Sequence, residues 1–147
     1  MEPAIFYAIL AALFAALTAI LAKIGITGVD SDLAVAIRTL VVVIFAWGIV
    51  AFRGVWHHIP SLSTKTILFL ILSGLATGAS WLFYFKAIQM GNVSQVAPID
   101  KLSIALTIIL AFIILGESPD AKTLIGGGLV TAGVMVIALW DVFFKNL

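Results

Sequence analysis

Charged residues divide this chain into long apolar segments. Uncharged segments of 20 residues run from 3 to 22 and from 66 to 85, and one of 18 residues runs from 123 to 140. A further segment, 33–52, contains Arg38 as its single charge. A helix needs about 20 apolar residues, at ~1.5 Å each, to cross a hydrocarbon core ~30 Å thick. The pattern therefore predicts four membrane-spanning helices in these segments.

A fifth apolar segment is too short to cross a membrane by itself, because Lys101 and Glu117 enclose only 15 residues. The helix must begin earlier, which places Asp100 and Lys101 at or below the membrane surface. We therefore predict an all-α, polytopic membrane protein with five transmembrane helices in a single domain, residues 1–147. The predicted spans cover about residues 3–22, 33–52, 66–86, 93–115 and 120–140.

Composition supports lipid as the solvent and excludes several classes of protein. The chain is 63% hydrophobic and 10% charged, whereas soluble domains are ~45–50% apolar and ~25% charged. The absence of cysteine excludes disulfides and thiolate metal sites, and a net charge of +1 provides no basic surface for nucleic acid. No HExxH, GxSxG or phosphate-binding loop is present. We expect neither an enzyme nor a cofactor or metal.

The connections between spans carry helix-start signals. The run 30–32, Asp-Ser-Asp, provides an N-cap for the second span. Asn92 and Gln95 have the spacing of a capping box before the fourth span. Ser118 and Pro119 place a capping hydroxyl before a proline at the first position of the fifth span.

Small residues provide surfaces for helix packing in lipid, where close backbone approach replaces the hydrophobic effect. Two interpretations stay open: tight packing within the chain, or a dimer interface, for which the fifth span is the first choice. The glycines concerned are Gly74 and Gly78 in the third span and Gly126, Gly127, Gly128 and Gly133 in the fifth.

Ionisable groups at membrane depth are costly and usually face a cavity or a partner. Arg38 lies roughly 7.5 Å into the second span by the ~1.5 Å rise per residue. Its side chain either reaches back to the membrane surface or lines a polar cavity. Lys23 and Lys86, which end the first and third spans, are most simply interfacial anchors.

The fourth span also allows two interpretations. In one, the helix begins near Pro98, and Asp100 lies in its first turn, where the helix dipole favours an acid. In the other, the helix begins at Asn92, kinks at Pro98 and exposes Ser94, Asp100 and Lys101 to a cavity, as interrupted helices do in transporters.

Several runs of residues resemble the EamA domain of the drug/metabolite transporter superfamily. They are the run Trp81-Leu-Phe-Tyr-Phe-Lys-Ala-Ile-Gln-Met-Gly-Asn, then Ser94-Gln-Val-Ala-Pro98, and later Ile114-Leu-Gly-Glu117. The resemblance covers almost the whole chain. It implies a secondary transporter that exports amino acids, metabolites or drugs. Many members contain two such repeats in inverted orientation, whereas this chain is similar to the five-helix, single-repeat members of bacteria and archaea.

Orientation is nearly undetermined by charge, which is typical of a dual-topology protein. The loops on the two sides carry three positive residues each, with Lys145 among them. A single repeat needs a second, inverted copy to build the pathway of the longer members. We therefore predict a multi-pass protein of the inner (plasma) membrane that works as an antiparallel homodimer.

The predicted partners are the lipid bilayer, a small-molecule substrate and a second copy of the chain. The alternative is a non-transporting membrane subunit, or a half-transporter that pairs with a different five-helix chain. The residues predicted to bind substrate are Arg38, Trp81, Tyr84, Ser94, Asp100 and Lys101. Asp100 is in addition a candidate for proton coupling.

Overall fold

The computed structural model describes residues 3–144, and the side chains of residues 3–140. Lys145, counted above among the loop charges, lies outside the described residues. Over this part of the chain the structure is helical and contains no strand. The α-helices are α1 (Pro3–Gly25), α2 (Ser31–Phe52), α3 (Thr64–Met90), α4 (Val93–Asp100), α5 (Leu102–Leu110) and α6 (Ala121–Phe144).

Five segments of the described chain are long and apolar enough to cross a membrane, so the predicted fold class is confirmed. The fourth of them, Val93–Leu115, is composite. It contains α4, α5 and a π-helical turn, Ala111–Leu115. A short 3-10 helix, Val55–Ser61, connects α2 to α3.

The N-cap predicted for the second span is confirmed. The Asp30 carboxylate accepts hydrogen bonds from the backbone N–H groups of Asp32 and Leu33, at 2.9 and 3.2 Å. It therefore satisfies two of the donors that a helix leaves unpaired at its start. Gly28, with φ of +76°, provides the left-handed turn that precedes this cap.

Two other predicted capping interactions are wrong. Asn92 makes no capping hydrogen bond through its side chain. The N–H groups of Gln95 and Val96 donate to its backbone carbonyl instead. The last helix begins at Ala121, and its first turn is capped by Asp120 rather than by Ser118. A carboxylate has the advantage there, since it is a charged acceptor at the positive end of the helix dipole.

The chain forms two compact units, Met1–Met90 and Gly91–Leu147, and each is described by itself. In the first unit α2 packs along α3, and α1 contacts α3 less extensively. All buried side chains described in this unit lie where α1 ends, α2 begins and α3 ends. They are Ala19, Ile26, Ser31, Val35, Phe85 and Ile88. Most apolar side chains elsewhere in the unit are exposed, as expected of helices whose solvent is lipid.

In the second unit, α4 and α5 both pack against α6. The fourth span begins at Val93 with Pro98 inside α4, which agrees with the longer of the two predicted helices. The interruption falls at Lys101 rather than at Pro98. There the N–H of Lys101 bonds the Pro98 carbonyl and the N–H of Ile104 bonds the Lys101 carbonyl, so each bond spans three residues instead of four.

The glycines of the spans differ in their surroundings. A Cβ atom added to Gly127 would lie 2.5 Å from the Cδ1 of Ile108, so this glycine permits the close approach of α5 and α6. The other five of the set named above have no neighbouring atom of their own unit within 4 Å of such a Cβ. Packing inside their own unit therefore does not account for Gly74, Gly78, Gly126, Gly128 and Gly133.

Candidate functional site

Two long-range hydrogen bonds join the helix ends of the first unit. The Lys23 ammonium donates to the backbone carbonyl of Ile88 at 2.6 Å, and the Gln89 amide donates to the carbonyl of Val29 at 2.7 Å. Lys23 thus places a cation at the C-terminal end of α3, where the helix dipole is negative. It is therefore more than an anchor at the membrane surface, which corrects the simplest interpretation of its sequence position.

Because of these bonds, the start of α2 and the end of α3 lie at the same height along the helix axes. The depth of Arg38 can be measured from there. By the rise of ~1.5 Å per residue, Arg38 lies about 10 Å along α2 from Ser31, and Trp81 about 13 Å along α3 from Met90. The guanidinium carbon of Arg38 lies 4.1 Å from the ring centroid of Trp81 and 5.4 Å from that of Phe85. Arg38 therefore reaches across to α3 and packs on a residue at least as deep as itself.

The Arg38 guanidinium has aromatic neighbours but no counter-ion. In the part of the chain that the structure describes, no carboxylate or carbonyl lies within hydrogen-bonding distance of it. A cation over an aromatic face gains about 0.5–2 kcal/mol, depending on how far it is desolvated. The guanidinium carries five N–H donors, and none of them has a hydrogen-bond acceptor among the described residues.

A cavity of about 400 Å³ lies beside Arg38 in the first unit. Its walls come from the second half of α1, the loop after it, the first half of α2, and Phe85 of α3. The lining side chains are Thr18, Leu21, Ala22, Gly25, Ile26, Val29, Ala34, Ile37, Arg38 and Phe85. Arg38 is the one ionisable group in this lining, and the rest of the wall is apolar except for the hydroxyl of Thr18.

The structure brings two of the predicted site residues together and adds a third that the prediction omitted. Trp81 lies directly against Arg38. Tyr84 is close enough to Arg38 for an electrostatic interaction, but it packs its ring edge-on to Phe85, with centroids 6.4 Å apart, and does not line the cavity. Phe85, only 3% exposed, takes the place that we expected Tyr84 to fill. The available signal was the spacing of Trp81 and Phe85, which are four residues apart and share a helix face.

The other predicted site residues, Ser94, Asp100 and Lys101, belong to the second unit. Ser94 lies in the first turn of α4. The Lys101 ammonium forms an ion pair with the adjacent Asp100 carboxylate at 3.1 Å, and the two side chains are 50% and 37% exposed. They neutralise each other at the interruption between α4 and α5.

Comparisons with known proteins support one family. The model of the EamA-like transporter family matches residues 2–139. A protein from a Sinorhizobium species, described as an uncharacterized transporter in the cobO 3' region, is 44% identical over 135 residues. The aligned region covers 92% of this chain and 96% of that relative, so the relative is also one repeat long. No solved structure matches the chain.

Proposed function

Because this chain belongs to the EamA-like transporter family and is a membrane transporter, we propose that it is a secondary transporter. It exports small metabolites, amino acids or drugs across the inner (plasma) membrane. One observation carries this proposal: the Arg38 cation lies at membrane depth, without a counter-ion, on the wall of a cavity of about 400 Å³.

The cavity suits a small organic molecule. Ligand sites in proteins measure about 300–1,000 Å³ and combine apolar walls with a few polar groups that fix orientation. An unpaired arginine inside a membrane is expensive to keep, so a residue of this kind is expected to serve substrate binding rather than stability. Trp81 and Phe85 hold the guanidinium in place without neutralising it.

We further propose that two copies insert in opposite orientations and form a ten-helix antiparallel homodimer. Five crossings place the two termini on opposite sides of the membrane, so one repeat lacks the inverted partner that alternating access uses. The near-equal charge of the loops favours neither orientation. Five glycines on α3 and α6 leave open surface where a helix of the second copy can approach closely.

Substituted-cysteine labelling tests the dimer, since the chain has no cysteine of its own. Glu2→Cys and Leu147→Cys are made separately and treated with a membrane-impermeant maleimide on intact cells and on inverted vesicles. We expect each terminus to be labelled from both sides. One fixed orientation would overturn the antiparallel homodimer and favour a half-transporter that pairs with a different five-helix chain.

Transport itself is tested in proteoliposomes with a panel of radiolabelled metabolites. The double variant Arg38→Gln, Lys101→Gln should lose transport while inserting normally into the membrane. Arg53→Gln with Lys122→Gln is the matched control, because Arg53 follows the end of α2, Lys122 lies in the first turn of α6, and both side chains are exposed. Equal transport by the two double variants would eliminate the roles of Arg38 and Lys101.

A further inference from the structure

The cavity beside Arg38 favours one charge class of substrate. Resting on the proposed transport function, we infer that the substrate is a small organic anion, with one carboxylate on an apolar body. The carboxylate binds the guanidinium of Arg38, and the apolar body fills the cavity between α1 and α2. This is narrower than the range of metabolites, amino acids and drugs named above.

Charge balance is the first reason. Arg38 is the one ionisable group among the lining residues, and no acidic side chain lines the cavity. A cation there would meet an uncompensated like charge in a medium of low dielectric constant, where repulsion is strong. A zwitterionic amino acid would bring its carboxylate to Arg38 but leave its ammonium without an acidic partner. A monoanion alone pairs its charge and adds no other.

The geometry of the cation is the second reason. The guanidinium carbon of Arg38 lies over the Trp81 ring at 4.1 Å and 5.4 Å from the Phe85 centroid, so two rings position the guanidinium before any substrate arrives. A carboxylate accepts two parallel hydrogen bonds from the edge of a guanidinium, and these charge-assisted bonds are about twice as strong as neutral ones. Because the rings hold the guanidinium, little side-chain freedom remains to be lost on binding.

The second unit provides a contrast that favours Arg38 as the anion contact. Lys101 already has a counter-ion, because its ammonium lies 3.1 Å from the carboxylate of Asp100. A substrate carboxylate would have to displace the carboxylate of Asp100, the adjacent residue in the chain, in order to bind Lys101. The Arg38 cation has no such competitor within hydrogen-bonding distance among the described residues.

The rest of the lining indicates an apolar body. Ile26, Val29, Ile37 and Phe85 contribute hydrocarbon surface, and among the lining residues only Thr18, with its hydroxyl, adds a polar side chain to that of Arg38. A polyhydroxylated body such as a sugar acid would lose its hydrogen bonds with water on entry and recover few of them. The depth of Arg38, about 10 Å from the helix end by the ~1.5 Å rise, also disfavours the phosphate of a lipid, which stays at the membrane surface.

Three probes with one carbon skeleton test the charge class. Purified protein in detergent is titrated calorimetrically with phenylbutyrate, phenylbutyramide and phenylbutylamine, which are anionic, neutral and cationic. We expect the acid to bind at least about tenfold more tightly than the amide, and the amine not to bind, because charge-assisted bonds to an arginine are worth this much. Equal affinity for acid and amide, or preference for the amine, would overturn the inference.

Variants test whether Arg38 is the contact. Arg38→Gln should abolish the preference for the acid, and Arg38→Lys should retain part of it, because lysine keeps the charge but loses the flat double donor. Arg53→Gln makes the same exchange at an exposed residue that caps the end of α2 and should change nothing. If the acid still binds after Arg38→Gln, its binding is due to partitioning into detergent or to another site. That result would overturn the inference. If Arg38→Gln fails to fold, the three probes on the unaltered protein still decide the charge class.

A lipid as the occupant is distinguished by competition. Short-chain phosphatidylglycerol that displaces phenylbutyrate and binds more tightly in an Arg38-dependent way would overturn the substrate assignment in favour of a lipid site. The transport assay separates this inference from the proposal on which it rests. Uptake of neutral or cationic metabolites with no anion preference refutes the anion class alone, whereas the absence of transport of any compound refutes the transporter proposal.

Discussion

Replacing Lys23 with methionine tests whether the helix ends of the first unit are joined as the structure indicates. The Lys23 ammonium donates across 2.6 Å to the carbonyl of Ile88, a residue with no exposed surface, in the last turn of α3. A hydrogen bond to a charged group contributes about 1.5–3 kcal/mol, and a cation at a helix C-terminus adds about 0.3–1 kcal/mol. Methionine keeps the aliphatic stem and removes the donor. We therefore expect a loss of about 2–3 kcal/mol in the free energy of unfolding.

The measurement is reversible unfolding by sodium dodecyl sulfate in mixed micelles, followed by far-ultraviolet circular dichroism. Lys65→Met is the matched control, because Lys65 is exposed in the first turn of α3, where a cation gains nothing from the dipole. Gln89→Leu should cost about 1 kcal/mol by removing the bond to the Val29 carbonyl.

The double variant Lys23→Met, Gln89→Leu shows whether the two bonds act together. Because both join the same helix ends, we expect the double variant to deviate from additivity by at least about 0.5 kcal/mol. A cost of Lys23→Met no larger than that of Lys65→Met would refute this reasoning and leave Lys23 as an anchor at the membrane surface. Strict additivity would mean that the two bonds hold the chain independently.

Three local features can be checked by the same unfolding measurement. Gly127→Val places a branched side chain where an added Cβ would lie 2.5 Å from a terminal methyl of α5. It should cost about 1–3 kcal/mol, while Gly48→Val in α2, outside the proposed dimer surface and with open space around the added Cβ, should cost less, and equal losses would contradict the close approach. Gly116→Ala should cost about 1–2 kcal/mol because φ there is +68°, and an unchanged midpoint would rule out the left-handed turn. Hydrogen bonds from Thr123, from the side-chain hydroxyl first and then the backbone N–H, lower the pKa of Asp120. A lowered pKa stabilises the fold above the ordinary aspartate value, and this contribution is lost as the pH falls through the lower, folded-state pKa. The destabilisation by Asp120→Ala should therefore be constant near neutral pH and shrink below about pH 4; a difference that persists at low pH would contradict the cap.

The five spans could be predicted from the sequence because hydropathy and charge position are properties of the chain alone. The same holds for the depth of Arg38, which follows from counting residues, and for the Asp30 cap, which is a local contact. The earlier start of the fourth helix was one of two alternatives that the sequence allowed. Each of these features is determined by residues that are close together along the chain.

The contacts between helices could not be predicted from the sequence. Each span is apolar on all sides, so the pattern does not show which face packs against another helix. The sequence does not distinguish Trp81 from Tyr84 as aromatic wall residues. In the structure, the orientation of α3 about its axis places Phe85 in the cavity wall and Tyr84 beside it. The bond from Lys23 to the Ile88 carbonyl joins residues 65 positions apart and has no pattern in the sequence. The break falls at Lys101, three residues after Pro98, whereas the missing N–H of a proline marks only the neighbourhood of an interruption.

Within the first unit, one end of α1 is packed and the other is exposed, so α1 can tilt about its packed end. Its fixed end is where Ile26, Ser31 and Ile88 are packed, whereas the side chains of its first turns, from Pro3 to Ile9, are exposed. A helix of 23 residues is about 34 Å long at ~1.5 Å per residue, so a tilt of about 5° at the fixed end moves the free end by about 3 Å. Such a tilt breaks no buried contact along the free half of the helix. A small rearrangement at one membrane face would thus move the opposite end of α1 by about 3 Å.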